Sequence, residues 1–294
     1  MAQLVLTVAP EQSGRTVLSL LRSQWSLSTG CINRLKRAES GITRNGARVF
    51  TNAALRAGDV LAVDLRAGES PTRVPPVPMA LDIVFEDEHL LVINKSAPLA
   101  VIPSSLVPTE PTLAGGLMHH LGPGASLHPV NRLDRGTTGL MVVAKHGYAH
   151  DRLRRQLHGG GFARRYLAVC LGAPEPPAGA IDLPIARAEG SAIKRQIACG
   201  GQEARTDYRL LRSRGGLALV LALPRTGRTH QIRLHMAAIG HPLAGDWLYG
   251  AEDRALIPRP ALHSVFLAFT HPVTGDKLSF TAPLPGDMKL LLER

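Results

Sequence analysis

A proline-rich stretch about a quarter of the way along the chain most constrains how this sequence can fold. Residues 67–78 read AGESPTRVPPVP and contain four prolines. Proline fixes φ and lacks an N–H donor, so this stretch can continue neither a helix nor a central strand. We therefore predict a small unit over residues 1–66, an extended linker over residues 67–79 and a larger unit over residues 80–294.

Composition indicates a globular protein of about two domains. Of its 294 residues, 45% are hydrophobic and 19% are charged, which is enough apolar material for real cores. No apolar run reaches the roughly 18–20 residues of a membrane helix, and the first residues lack the pattern of a secretory signal. Cys31, Cys170 and Cys199 are far apart, as expected in a reducing compartment. We expect a cytoplasmic protein with no membrane partner.

The charge of the chain favours a polyanionic partner. Lys and Arg number 34 against 23 Asp and Glu, giving a net charge of +11. Such an excess attracts nucleic acid, although charge alone does not establish a nucleic-acid-binding protein. Helical spacing predicts helices over residues 15–25 and 29–38 in the first unit. The second helix brings Arg34, Lys36 and Arg37 onto a short arc, which makes them candidate RNA-binding residues.

The larger unit alternates strand-like runs with a few helices. Short runs rich in Val, Ile and Leu predict strands over residues 83–85, 90–93, 140–144, 166–171 and 217–223. Several are continuous apolar runs, as expected for strands covered on both faces. Helices are predicted over residues 150–157 and 229–239, the second ended by Gly240 and Pro242.

A polar cluster that leads into a buried strand contains the candidate chemistry. Residues 128–145 read HPVNRLDRGTTGLMVVAK, so one carboxylate, Asp134, lies between Arg132 and Arg135. A single Asp in a loop usually caps a turn or pairs with a neighbouring Arg. Two arginines would also keep Asp134 ionised, and a dry, ionised carboxylate can act as a nucleophile. Both interpretations are open on the local sequence alone.

The same segment resembles the catalytic motif of the RluA-like RNA pseudouridine synthases, H-R-L-D-x-x-T-S-G-L. Asn131 replaces the usual His and Thr138 replaces the usual Ser, while Arg132, Leu133, Asp134, Thr137, Gly139 and Leu140 match. Further stretches resemble the family in the same order, namely residues 165–169 (RYLAV), 227–235 (GRTHQIRLH) and 240–250 (GHPLAGDWLYG).

The resemblance implies a reaction and a set of site residues. Asp134 would be the nucleophile or base, Arg233 its ion-pair partner, and Tyr166 the residue against the uracil. Leu234 would give the base an apolar floor. The remaining substrate-binding candidates are Asn131, Arg132, Thr137, Arg228 and His230. The isomerisation of uridine needs no redox step, so we expect no cofactor, and the histidine spacing predicts no metal site.

The first unit resembles the small RNA-binding domain named after ribosomal protein S-four, through RNG at residues 44–46 and LRAGDVL at residues 55–61. Together the two resemblances imply an α+β protein: a catalytic domain with a mixed, mainly antiparallel sheet and flanking helices, plus a small α+β RNA-binding domain. The implied partner is structured RNA, ribosomal or transfer, and the implied state is a monomer. The alternative is a non-catalytic RNA-binding or ribosome-assembly factor on the same scaffold.

Overall fold

Two sheets of unequal size organise the protein. The computed structural model describes residues 2–104, 107, 109–250, 253 and 255–293. A four-stranded sheet forms near the N-terminus and a ten-stranded sheet forms the larger part. Pairings within the large sheet are antiparallel except for one parallel pair. The predicted α+β class with a mixed, mainly antiparallel sheet is confirmed.

The N-terminal sheet packs against two helices. Its strands, in spatial order β1-β4-β2-β3, are β1 (Gln3–Thr7), β2 (Ile42–Arg44), β3 (Ala47–Arg48) and β4 (Val60–Asp64). The helices are α1 (Val17–Trp25) and α2 (Thr29–Arg37), and a single 3-10 turn covers Pro10–Gln12. The Ser28 hydroxyl caps α2 by accepting the backbone N–H of Cys31 at 3.3 Å. Leu20, Leu35 and Leu61 are fully buried between helices and sheet.

The large sheet contains the remaining strands apart from one hairpin. In spatial order its main path is β10-β13-β14-β9-β15-β8-β6-β5, with β16 paired to β15 and β7 paired to β8. Its strands are β5 (Ile83–Glu86), β6 (Leu90–Lys95), β7 (His128–Pro129), β8 (Thr138–Ala144), β9 (Ala163–Leu171), β10 (Ala178–Asp182), β13 (Arg205–Arg214), β14 (Leu217–Pro224), β15 (Leu262–Thr270) and β16 (Lys277–Thr281). The separate hairpin pairs β11 (Ile185–Arg187) with β12 (Arg195–Ile197).

Helices cover both faces of the large sheet. They are α3 (Leu113–Leu121), α4 (Gly147–Gly159), α5 (Gln231–Ala238) and α6 (Gly286–Glu293). One core cluster joins Ile232 and Met236 of α5 to Tyr166 of β9, and another joins Leu153 of α4 to Leu140 of β8. All seven residues of β8 are buried, which explains its continuous apolar sequence. Among the described residues, no helix is both long enough and apolar enough to cross a membrane.

The proline-rich segment lies along α3 and does not hang free as a tether. The Thr72 N–H donates to the Ala125 carbonyl, and the Val77 N–H donates to the Gly115 carbonyl, both at 2.9 Å. Glycine in α3 makes room for this contact, because a Cβ on Gly116 would lie 2.6 Å from the sulfur of Met79. The segment is extended, as its prolines require, but it is attached to the larger unit.

Glu69 joins the two units at the start of this segment. Its carboxylate accepts the Gly147 N–H at 2.6 Å and pairs with the Arg34 guanidinium at 3.1 Å. Arg34 also donates to the Ala67 carbonyl at 2.6 Å. Nearby, the Tyr148 hydroxyl of α4 donates to the Trp25 carbonyl at 3.2 Å. The Arg34 guanidinium is used in these contacts between the two units, and its role in RNA binding stays a prediction.

Candidate active site

Asp134 lies in the loop between β7 and β8, where a turn presents its carboxylate. The Thr137 N–H donates to the Asp134 carbonyl at 3.0 Å, which closes the turn. Downstream, Gly139 adopts φ +107°, and a side chain there would overlap the backbone of Ser264 in β15. Only glycine tolerates both the positive φ and this approach, so it positions the loop against the sheet. The Asp134 side chain keeps 25% of its surface exposed.

Lys95 holds the same loop from beneath. Its side chain is 1% exposed, and its ammonium donates to the carbonyls of Ser96 and Leu99 at 2.8 Å and of Arg135 at 3.3 Å. Burial lowers the pKa of Lys95 to about 7, and the nearby Asp134 opposes that shift. Lys95 therefore positions the backbone next to Asp134.

Arg233 is shared between two carboxylates. Its Nε and Nη2 donate to the two oxygens of Asp246, both at 2.7 Å, whereas its Nη1 lies 3.5 Å from Oδ2 of Asp134. The family resemblance implies that Arg233 pairs with Asp134. The two groups do lie next to each other, but the two-pronged interaction of Arg233 is with Asp246.

The environment of Arg233 keeps it charged and fixed in place. Its side chain is 6% exposed and that of Asp246 is 0% exposed. Burial opposes the charge on Arg233, but the ion pair with Asp246 outweighs burial and raises the pKa of the guanidinium. Asp246 thereby orients Arg233 so that one remaining nitrogen faces Asp134. The oxygens of Asp134 are left partly open to an approaching substrate.

Two tyrosines lie near this ion-pair group. Tyr166 on β9 is 6% exposed, and burial raises the pKa of its phenol, so it keeps its proton at neutral pH. Tyr249 follows the turn that contains Asp246, and its ring centroid lies 5.3 Å from the guanidinium carbon of Arg233. That distance is typical of a cation–π contact.

His230 and Arg228 precede α5 and have different surroundings. His230 adopts φ +58° just before the helix, and its Nδ1 lies 2.9 Å from the Tyr249 hydroxyl. Burial lowers the pKa of His230, which favours the neutral imidazole. Arg228 is exposed, and its Nε donates to the Glu203 carbonyl at 2.9 Å.

The predicted substrate-binding residues around Asp134 differ in accessibility. Arg132 is exposed. Asn131 is 5% exposed and its Oδ1 accepts the Val142 N–H at 2.9 Å, and Thr137 is 2% exposed. The Asn131 amide nitrogen and the Thr137 hydroxyl make no hydrogen bond within the described part of the chain. Asn131, which stands where the resembled motif has a histidine, therefore braces the later half of β8.

Leu234, next to Arg233 in α5, belongs to a small apolar cluster. It is 7% exposed and packs with Ile185 and Ala204 beneath the β11–β12 hairpin. Tyr249 borders this cluster and also lies against the Arg233 guanidinium, so Leu234 and Arg233 share one neighbour. Leu234 thus supports the hairpin, and its role as an apolar floor for the base stays a prediction.

Lys36 and Arg37 remain on the surface of α2, and both are exposed. Of the three candidates on this helix, they are the two that a ligand can reach, since Arg34 is held by Glu69. Within the described ranges, no cluster of three or more His, Cys, Asp or Glu side chains could hold a metal ion.

Three residues of this site are not among the site residues predicted from the sequence: Lys95, Asp246 and Tyr249. Asp246 and Tyr249 stand in the GDWLYG stretch quoted above, where an acid and a tyrosine three residues apart follow a glycine. That spacing places both side chains on one turn, and it is the sequence feature that could have identified them as site residues. Lys95 follows directly on an apolar run, so its burial could not be told from a surface position at the end of a strand.

The site is a partly exposed carboxylate set against a buried guanidinium, in the order of motifs that pseudouridine synthases use. A family model described as RNA pseudouridylate synthase matches residues 89–238. The uncharacterized RNA pseudouridine synthase YjbO of Bacillus subtilis (strain 168) is 40% identical over 270 residues, covering 91% of this chain and 95% of its own. The chain therefore belongs to the RNA pseudouridine synthase family, whose members are isomerases.

Two further comparisons agree. Ribosomal large subunit pseudouridine synthase D of Zymomonas mobilis subsp. mobilis is 35% identical over 295 residues, covering 95% of this chain and 90% of that protein. The structure of human RNA Pseudouridylate Synthase Domain Containing 1 superposes with a TM-score of 0.58 at 26% identity, covering 71% of this chain and 86% of that one. Both support the same family and fold.

Proposed function

We propose that this protein converts uridine to pseudouridine in structured RNA with Asp134 as its nucleophile. The observation that carries the proposal is the pairing of the partly exposed Asp134 carboxylate with the buried Arg233 guanidinium at 3.5 Å. In the reaction, the bond from ribose to uracil nitrogen one breaks, a bond to carbon five forms, and the hydrogen of carbon five is lost. Asp134 attacks the target nucleotide, at the ribose or at the ring. The bond to Asp134 then breaks again: carbon five displaces the carboxylate from the ribose, or loss of the carbon-five hydrogen expels it from the ring.

Tyr166 supplies proton transfer in this proposal. Its phenol keeps its proton because burial raises its pKa. A neutral phenol can protonate the nitrogen released from the ribose, and the resulting phenolate can then accept the proton from carbon five. The two transfers balance, so the enzyme regains its starting state without a cofactor. A uridine within a helix must first be unstacked to reach the two side chains.

Ribosomal RNA is the proposed substrate ahead of transfer RNA. Relatives along most of the chain, such as the Zymomonas mobilis protein, are called ribosomal large subunit pseudouridine synthase D. The N-terminal unit, as a domain of the S-four type, would add RNA contacts through Lys36 and Arg37, which are exposed. A cytoplasmic, monomeric enzyme is part of the same proposal.

Release of tritium from RNA labelled at carbon five of uridine tests the nucleophile. With large-subunit ribosomal RNA as substrate, Asp134→Asn should lower turnover by at least about 10³-fold, as for other single nucleophiles. RNA affinity should persist. The matched control is Asp151→Asn, the same change at an exposed carboxylate on α4, which should leave turnover unchanged. Wild-type-like release from Asp134→Asn would refute the role of Asp134, and RNA binding without any release by the wild type would favour the non-catalytic alternative.

The role of the N-terminal unit has its own test. Lys36→Gln/Arg37→Gln removes two exposed charges from α2 and should flatten the salt dependence of RNA affinity, because fewer counterions are released on binding. The control is Lys289→Gln on α6, at the opposite end of the chain. An unchanged salt dependence would remove α2 from the RNA contact surface.

A further inference from the structure

The β11–β12 hairpin places two arginines directly opposite each other. Arg187 and Arg195 are register partners in this antiparallel pair. The next pair along is hydrogen-bonded, since the Ala188 N–H donates to the Lys194 carbonyl at 3.0 Å. Arg187 and Arg195 therefore form a pair without hydrogen bonds between them, the kind in which side chains stand closest. Like charges in this arrangement destabilise a hairpin.

The arginine pair is located at the rim of the active site. Side chains two residues apart share a face of a strand, so both arginines project on the side of Ile185 and Ile197. That side packs on Leu234 of α5 and on Tyr249. The Arg195 N–H also donates to the Tyr249 hydroxyl at 2.9 Å. Arg195 is close enough to His230 for its positive charge to help lower the pKa of that imidazole, although burial is the largest cause of the shift.

No carboxylate of the described residues compensates these two charges. Other arginines nearby are paired, as Arg225 is with Asp207 at 2.6 Å and Arg233 with Asp246 at 2.7 Å. Arg187 is exposed and Arg195 is half-buried, so an external anion can reach both. Two adjacent guanidinium groups present planar pairs of N–H donors, which match the oxygens of a phosphodiester.

We infer that Arg187 and Arg195 form a phosphate subsite that binds the RNA backbone next to the target uridine. The inference rests on the proposed function for the identity of the polyanion, and it adds the anchor that holds the flanking strand. Binding a phosphate between the guanidinium groups removes their mutual repulsion, so the subsite is favourable when RNA is bound. Because the hairpin contacts Tyr249, the anchor is rigidly connected to the ion-pair group of the site.

The experiment measures RNA affinity against salt in an Asp134→Asn background, with transcribed large-subunit ribosomal RNA as the probe. Arg187→Gln/Arg195→Gln should weaken binding and reduce the slope of log K against log salt by about 0.9 for one phosphate lost, or about 0.7 if that strand is single. The matched control, Arg212→Gln/Arg214→Gln, removes the same charge from the far end of β13, roughly 25 Å along the strand from Thr206 at 3.3 Å per residue. It should leave the slope unchanged.

A second measurement separates the subsite from a structural role. In the otherwise wild-type enzyme, the double variant should raise KM for tritium release with little change in kcat, and Arg187→Lys/Arg195→Lys should restore part of the affinity. The variant should also fold at least as stably as wild type at low salt, since it loses a repulsion. An unchanged slope and KM, or a slope lowered equally by the β13 control, would overturn the inference. So would a loss of kcat alone, which would make the hairpin a support for Tyr249.

The two proposals can fail separately. In one case, the wild type binds RNA with a salt dependence that Arg187→Gln/Arg195→Gln reduces, but it releases no tritium. The phosphate subsite then stands and the proposed catalysis falls. If tritium is released at wild-type KM by the double variant, the catalysis stands and the subsite falls. If inorganic phosphate displaced bound RNA as effectively as competing RNA does, the two arginines would form a site for free anions. That result would overturn the assignment to the RNA backbone.

Discussion

Replacing Asp246 should disable the enzyme without removing any group that faces the substrate. Asp246 is fully buried and binds Arg233 through both oxygens at 2.7 Å. Without that partner, the Nε and Nη2 donors of Arg233 are free to turn toward Asp134, 3.5 Å from the remaining nitrogen. At that distance an attraction of about 5 kcal/mol is available at an effective dielectric constant near 20. Asp134, the proposed nucleophile, would then be held by Arg233.

The expected losses of stability and of rate follow from the burial of Asp246 and from its role in positioning Arg233. Removing one member of a buried ion pair costs about 3–5 kcal/mol of folding free energy, and Asp246→Asn should cost less than Asp246→Ala because its amide oxygen still accepts one N–H. Displacing reacting groups by about 1 Å costs roughly 10²-fold in rate. We therefore expect Asp246→Asn to remain folded at 25 °C with kcat reduced about 100-fold.

Tritium release per folded molecule, with urea unfolding in parallel, measures both quantities. Leu153→Ala is the stability-matched control, because it removes a buried side chain of α4 on the other face of the sheet at a cost of about 2–5 kcal/mol. It should keep wild-type kcat. Full kcat in folded Asp246→Asn would refute the positioning role, and an equal loss in Leu153→Ala would reduce it to general destabilisation.

Three further changes have defined outcomes. Lys95→Met leaves the carbonyls around the loop that contains Asp134 without their donor. The free energy of unfolding should therefore drop by about 1–3 kcal/mol, and kcat should drop by about tenfold or more. An unchanged kcat would contradict the role of Lys95 in supporting this loop. Burial lowers the pKa of His146 to about 3, so the unfolded chain binds more protons between pH 6.5 and 3, and stability falls as the pH drops. This group should cost about 2 kcal/mol between pH 6.5 and 5, and His146→Asn, which can still cap α4, should flatten that dependence in urea titrations; an equally steep loss would contradict the assignment. Glu69→Gln should weaken the contact between the units by about 1–3 kcal/mol and give an earlier calorimetric transition for the N-terminal unit, whereas an unaltered single transition would argue against this coupling.

Much of the fold could be predicted because its strands are buried on both faces. The apolar run at residues 140–144 became β8 (Thr138–Ala144), and the capped, periodic segment at residues 29–38 became α2 (Thr29–Arg37). The ten residues of β13 gave no such signal, because four of them are arginines and its outer face is solvated. The short strands β11 and β12 were missed for the same reason.

The sequence predicted which residues belong to the candidate site better than it predicted how they contact each other. The motif order identified Asp134 and Arg233, and the structure brings them together. A sequence does not show which of two carboxylates receives both prongs of a guanidinium, and so Asp246 was missed. Periodicity around Leu234 likewise shows an apolar residue next to Arg233 but does not show that it packs against the β11–β12 hairpin.

The contact between the proline-rich segment and α3 affects how the protein can be divided for experiments. Composition alone would suggest cloning the larger unit from residue 80 onward. Such a truncation would strip Val77 and Met79 from the glycine face of α3 and uncover Val101, Leu113 and Leu117 beneath Val74. The shortened protein should therefore self-associate, and a soluble version should start before Glu69.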